Sequence, residues 1–322
     1  MGHARDRWRI LVVPALLYFL SYFHRVAPVV VAGDLMAAFA VSAATLGALS
    51  AIYPYCFAAM ALPGGSLADL LGPRRTLTLG GLSMSAGSVL FGLAPGFGVA
   101  FAGRLLVGLG ASVILIAWLR LATEWFRPRE FGTVAGAAQS VGSIGALAGT
   151  TPLALLVEQI GWRHGFVTIG ATTLLLALAC FLTVRDRPER ADARETRRRA
   201  AEPGLRDVVA GIPSVIFNPR SWSVGLISGG IYGGFAAFVG LWGVPYLTQV
   251  YDLPRVRAAN LVGLAAVGLL VGAPLLGWLS DRLERRRVPL ITVCGLNVLT
   301  WAALAAPATP IAPGLIPLIC FL

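Results

Sequence analysis

The chain has 322 residues, 57% hydrophobic and 13% charged, well below the roughly 25% charged content of an average soluble domain. That much apolar surface cannot be hidden from water, so lipid is the expected solvent. The net charge is +11 and every basic residue is Arg; the lack of Lys excludes a phosphate-loop lysine and Schiff-base chemistry.

Met1–Leu20 has a basic head and an apolar body, the layout of a secretory signal. No small-x-small cleavage site follows and many apolar runs come after it, so it reads as an uncleaved first span. Runs long enough to cross a bilayer as helix recur along the chain. They predict spans at 10–32, 44–66, 76–94, 99–122, 132–157, 164–184, 221–247, 256–280 and 288–307. A partial tenth begins near 310 and stops at Leu322 without a charged cap, which reads as a cut helix. The expected fold class is an all-α polytopic membrane protein. It comprises a six-helix bundle over 1–184, a cytoplasmic linker over 185–220 and an incomplete second bundle over 221–322. The linker is charged and punctuated by Pro. Its Arg197-Arg198-Arg199 run is either a solvated loop or a dock for a partner or anionic lipid.

Arg placement orients the chain. With the N-terminus in the cytoplasm, 21 of the 26 Arg fall on inner segments or inner span ends. Arg163, Arg255 and Arg257 lie outside, and Arg25 and Arg104 lie within spans. A bias of this kind sets topology in a cell (inner) membrane, and it accounts for the positive charge without a nucleic-acid partner. The expected partners are the bilayer and a small molecule, with the chain acting as a monomer.

Arg25 is the most informative residue within a span. An Arg there costs roughly 2.5–3.5 kcal/mol on insertion scales and must face a cavity. Tyr18, Tyr22 and Arg25 follow i, i+4, i+7 spacing and share one helix face. A cation flanked by two phenols suits a carboxylate or phosphate. The competing reading is an Arg spent on backbone carbonyls or on an internal carboxylate. No Asp or Glu falls mid-span, however: Asp34, Glu158 and Asp252 sit at outer edges, and Asp69, Glu124 and Asp281 at inner edges. An anionic ligand is therefore favoured. His24 adjoins Arg25 and titrates near neutrality, so it is a candidate proton carrier as well as a candidate packing residue. Tyr53 is a candidate hydrogen-bond partner for the ligand. Arg104, just inside the outer end of the fourth span, could snorkel to the headgroups.

In the fifth span, Gly136, Gly142, Gly145 and Gly149 permit close helix packing, and Gln139 is a candidate cavity residue. In the seventh, Tyr232, Phe235 and Trp242 are candidates for the cavity wall, although Trp242 and Tyr246 equally suit an aromatic belt. Cys56, Cys180, Cys294 and Cys320 lie in apolar runs without metal-ligand spacing and read as packing residues.

Two loops repeat. "GGSLADLLGPRR" at 64–75 and "GWLSDRLERRR" at 277–287 align at an offset of 212, matching Gly65 with Gly277, Asp69 with Asp281 and Arg74 with Arg286. The positive-inside bias would explain the Arg but not the matched Gly and Asp. Repeated bundles are the usual build of secondary transporters. On these residues the chain resembles the major facilitator superfamily. The family's loop signature, Gly-x-Leu-Ala-Asp-Arg-x-Gly-Arg-Lys, reads here Gly65-Ser-Leu-Ala-Asp69-Leu70-Leu-Gly72-Pro73-Arg74-Arg75. The first copy has Leu70 at the usual Arg. The second keeps Asp281-Arg282 but has Glu284 at the usual Gly. Arg104-Leu-Leu-Val-Gly108-Leu-Gly110 matches the fourth-span signature, and "RDRPE" closes the sixth span.

The resemblance implies twelve spans in two pseudo-symmetric bundles that work by alternating access. It implies that Asp69 latches the cytoplasmic side with Arg74 or Arg75, with Glu124 as an extra partner. It implies the same for Asp281 and Arg282 in the second copy, and a coupling or gating role for Arg104. Branches that carry organic phosphates or organic anions also place an Arg in the first span, and Arg25 is similar to theirs. The Gly-Pro and Gly-Gly pairs of drug antiporters are not matched, since Pro152 comes late in the fifth span with no Gly before it.

No Gly-x-Ser-x-Gly elbow, His-Glu-x-x-His, phosphate-binding Gly-Lys motif or mid-membrane carboxylate pair occurs, so neither enzyme chemistry nor a cofactor is expected. The expected function is secondary active transport of a small organic anion, a carboxylate or phosphate ester. Two alternatives stay open: an exporter of amphipathic or drug-like compounds, and a non-transporting membrane sensor or scaffold of the same fold.

Overall fold

A computed structural model describes residues 2–61, 63–186, 217–239, 243–284 and 287–305, together with 211, 213, 214 and 316. Most of the expected 185–220 linker, Trp242, Arg286 and most of the expected tenth span lie outside the described residues. Among the described residues there is no strand. In chain order the helices are α1 (Gly2–Val30), α2 (Ala32–Phe39), α3 (Ala43–Met60), α4 (Pro63–Leu71), α5 (Pro73–Gly92), α6 (Phe97–Trp125), α7 (Phe131–Ala148) and α8 (Thr151–Thr183). Further along the chain come α9 (Pro219–Ala237), α10 (Gly243–Val250), α11 (Arg255–Leu283) and α12 (Arg287–Ala305).

The apolar runs become helices, with breaks where local chemistry opposes continuity. The expected second span splits into α3 and α4, which meet at a 62° bend; Pro63 disfavours helical geometry just before it. The expected fifth span divides at Gly149–Thr150. Pro152 cannot donate to a continuing helix and instead starts α8. Within α8, Gly161 takes φ 76° and ψ 156°, so α8 is two helices around a glycine joint. Among the described residues five helices are long and apolar enough to cross a membrane, or six if α3 and α4 form one broken span. Helices α5, α7 and α9 are 20, 18 and 19 residues long but diluted by Gly, Ser and Thr.

The chain divides into two compact units: Met1–Pro128 with Val141–Val209, and Arg129–Ser140 with Ala210–Leu322. The chain passes between units after Pro128, after Ser140 inside α7, and after Val209 in the stretch expected as a linker.

In the first unit, α5 is the hub and packs against both α6 and α8. Facing glycines close the α5–α6 seam. A Cβ on Gly80 would lie 2.8 Å from the Gly110 carbonyl oxygen, and one on Gly103 2.7 Å from that of Gly87. Close approach of this kind supplies the dispersion contacts that hold helices together in lipid. Toward α8, the hydroxyls of Ser85 and Ser88 donate to the carbonyls of Gly170 and Phe166, at 2.8 Å each. Leu17, Leu77, Met84, Phe91, Ile114 and Phe166 form the centre of this core.

In the second unit, Leu247 of α10 packs with Ala258 and Val262 of α11. The first half of α7 also rests on α11, where Ser140 Oγ donates to the Leu270 carbonyl at 2.8 Å. Apolar side chains such as Leu275 on α11 and Ile291 and Val298 on α12 are exposed, as lipid-facing helices require.

Candidate functional site

The expected face of α1 is present. The Tyr18 and Tyr22 rings meet edge to face, with centroids 5.1 Å apart, and the Arg25 guanidinium lies 5.6 Å from the Tyr22 ring. Trp118 of α6 extends this wall, 5.5 Å from Tyr18. Gly142 of α7 makes room for it, because a Cβ there would stand 3.1 Å from both tyrosine rings. Tyr18 is buried, Tyr22 half-buried and Arg25 exposed, so an aromatic strip leads out to a cation.

Behind this face Arg104 holds the end of α1. It is only 2% exposed and does not snorkel. Its guanidinium donates to the carbonyls of His24, at 2.5 Å, and Arg25, at 3.3 Å. The cause is Pro28, which lies inside α1. Proline has no N–H, so the carbonyl four residues earlier, that of His24, loses its helical donor. Arg104 supplies the missing bond from a neighbouring helix. It also stacks 5.0 Å over the Tyr53 ring. The Tyr53 hydroxyl donates to the Ser21 carbonyl at 2.6 Å, so this phenol is committed to the α1 backbone instead of a ligand. His24 is fully buried, with its ring 6.0 Å from that of Phe23 and 6.4 Å from that of Phe166. The pairing of Arg104 with the Pro28 defect was not foreseen; the one signal for it was a Pro four residues after His24.

The first repeat loop corrects an expectation. Asp69 pairs not with Arg74 or Arg75 but with Arg120 Nε of α6, at 3.2 Å, and Arg120 also reaches Glu124 at 3.7 Å. Arg74 is engaged elsewhere: its Nε donates to the Phe181 carbonyl at 2.7 Å and its guanidinium stacks 4.5 Å over the Phe181 ring. The Arg74 backbone N–H donates to Asp186 Oδ1 at 2.6 Å. Asp186, from the "RDRPE" stretch, thereby caps the N-terminus of α5. Arg75 is exposed.

In the second repeat loop, Asp281 accepts from the Gly132 N–H at 3.1 Å, the Thr133 N–H at 2.6 Å and the Thr133 hydroxyl at 2.8 Å. It caps the N-terminus of α7. Glu284 pairs with Arg129 at 3.2 Å, and Arg282 stacks 5.2 Å over Trp278. Gln139 is half-buried on α7, and Tyr232 is exposed on α9 with its ring 6.4 Å from that of Phe235. Among the described residues no group of three or more His, Cys, Asp or Glu could hold a metal ion.

Comparison with known proteins adds relatives. The Major Facilitator Superfamily profile matches residues 15–322. The chain is 27% identical over 289 residues to the probable sulfoacetate transporter SauU of Cupriavidus necator, covering 88% of this chain and 66% of that one. It is 24% identical over 308 residues to the membrane sensor protein UhpC of Salmonella typhimurium, covering 90% and 69% respectively. Over 182 residues it is 31% identical to the multidrug resistance protein Stp of Mycobacterium tuberculosis, covering 55% and 34%. The chain therefore spans between a third and about two thirds of these relatives' lengths. The solved structure of the proton:xylose symporter XylE, bound to 6-bromo-6-deoxy-D-glucose, shares its fold. That TM-score is 0.68 at 16% identity, covering 99% of this chain and 79% of that one. On the profile match, the chain belongs to the major facilitator superfamily.

Proposed function

We propose that this chain serves secondary transport of a small organic anion, a carboxylate, sulfonate or phosphate ester, across a cell membrane by alternating access. The carrying observation is Arg25, exposed at the head of the Tyr18–Tyr22 strip. A guanidinium beside phenols suits a carboxylate, sulfonate or phosphate. Similarity to a probable sulfoacetate transporter over 88% of the chain supports the same class. In this reading the N-terminus is cytoplasmic, and residues 1–184 and 221–322 belong to two bundles joined by the linker. Arg104, Asp69 and Asp281 hold conformations of the cycle, and the protein acts as a monomer. Similarity to a membrane sensor protein over 90% of the chain favours a second reading, binding without movement.

A thermal-shift screen of purified protein with sulfoacetate, dicarboxylates and sugar phosphates tests the class. A ligand at about 100 times its Kd stabilises by about 2.7 kcal/mol, and Arg25→Gln is expected to abolish the shift. An equal shift in Arg25→Gln would remove Arg25 from the site. Vesicle uptake then separates the readings: a transporter accumulates the anion, a sensor binds it only, and an exporter responds to neutral amphipathic compounds instead.

A further inference from the structure

We propose that His24 is a proton-binding residue whose protonation loosens the hold of Arg104 on α1. The inference deepens the transport reading, on which its place in a transport cycle rests.

His24 has zero exposure, and neither ring nitrogen has a hydrogen-bond partner among the described residues. Arg104 Nε, beside it, also has none. The slot next to the ring, walled by Pro28, Ser88, Phe91 and Phe166, is too narrow for a water-sized sphere. The Ser88 hydroxyl is already committed to the Phe166 carbonyl. Buried polar groups are almost always paired, and leaving them unpaired is costly. A phenylalanine would fill the same space with no such cost. The imidazole is therefore poorly suited to the conformation described and well suited to one in which its nitrogens meet water.

The charged and titratable neighbours give the direction. From α6 comes Arg104, and from α3 comes Tyr53, beneath the Arg104 guanidinium. The residues that α5 and α8 present to the slot, Ser88, Phe91 and Phe166, carry no charge. On α1 itself Arg25 follows His24 and is exposed. No carboxylate lines the slot. A proton taken from solvent turns one donor and one acceptor into two donors and adds a positive charge. That charge faces Arg104 across a slot too narrow for water and lined by no carboxylate. Relief requires the slot to widen, and the contact in the way is the bond from Arg104 to the carbonyl of His24. Breaking it, together with the bond to the Arg25 carbonyl, frees the Pro28-interrupted stretch of α1 from His24 to Val30, which carries Arg25. The proton returns to water when the slot closes, so the two states differ by one proton and no covalent bond.

Melting curves of the purified full chain from pH 8 to pH 5 test this without any cargo. Wild type is expected to lose about 2–4 °C more than His24→Phe and His24→Gln over that range, with His24→Phe the more stable protein at pH 5. Parallel curves for the three proteins overturn the proposal. Should neither variant fold, ring-carbon NMR of wild type resolves His3, His24 and His164, and a His24 signal that does not move down to pH 5 overturns it equally. In vesicles loaded with sulfoacetate, His24→Phe is expected to keep exchange at fixed pH and lose stimulation by a pH gradient; stimulation as strong as in wild type counts against the proposal. If wild type moves no sulfoacetate, the transport reading is at fault, and the melting curves still decide on His24.

Discussion

The two repeat loops share a sequence and use it differently. Asp69 meets another side chain, Arg120, in a half-exposed ion pair, and Glu124 competes for the same guanidinium. Asp281 meets a helix end and takes three hydrogen bonds, two of them from backbone N–H groups. An exposed ion pair is screened and its long side chain can rotate away. The first N–H groups of a helix cannot rotate away, have no partner within the helix, and carry the positive end of its dipole. The repeated Asp is thus an acceptor whose strength depends on what lies in front of it. A second contrast lies three residues further on. Gly72 has φ 80°, and its repeat partner Glu284 has φ 51°. The two positions share a positive φ but not a conformation: Gly72 has ψ 158°, a region open essentially only to glycine, and Glu284 has ψ 18°, the left-handed helical region.

These contrasts can be broken by measurement. Asp281→Ala is expected to cost the most, roughly 2–3 kcal/mol, because it strands donors at the start of α7. Asp69→Ala is expected to cost less than about 1 kcal/mol; equal losses on chemical denaturation would erase the distinction. At the turn, the same register position is expected to respond with opposite signs. Gly72→Ala forces a Cβ into a backbone conformation essentially confined to glycine, at about 1–3 kcal/mol, and places it 2.8 Å from Asp186 Oδ2. Glu284→Gly is expected to stabilise by up to about 1 kcal/mol, less the small contribution of the exposed pair with Arg129. A loss of stability in Glu284→Gly would show that the left-handed backbone there carries no strain. The smallest effect belongs to a double-mutant cycle on Asp69 and Arg120, with a coupling of about 0.2–1 kcal/mol that fades in salt. A coupling that persists at high salt would mean the pair is shielded from solvent.

Much of this was legible in the sequence. Apolar length marks the helices, and the i, i+4, i+7 spacing brings Tyr18, Tyr22 and Arg25 together because helix geometry alone fixes it. The helix breaks were only half legible, since Pro152 announces a stop but not which side of it the helix resumes. The partners of Asp69 and Asp281 were hidden for a different reason. Both come from helices distant in sequence, and the nearer Arg74 is drawn off by Phe181 and Asp186. The direction of the Tyr53 hydroxyl was hidden as well, because a sequence shows that a donor exists and not where it points.

The seam between α5 and α6 has a mechanical consequence. Helices joined main chain to main chain have no rotamers to relax into, so they bend together as one stiff beam. Flexing in the first unit is then diverted to the places where the backbone is already interrupted, at Pro63 and at Gly161.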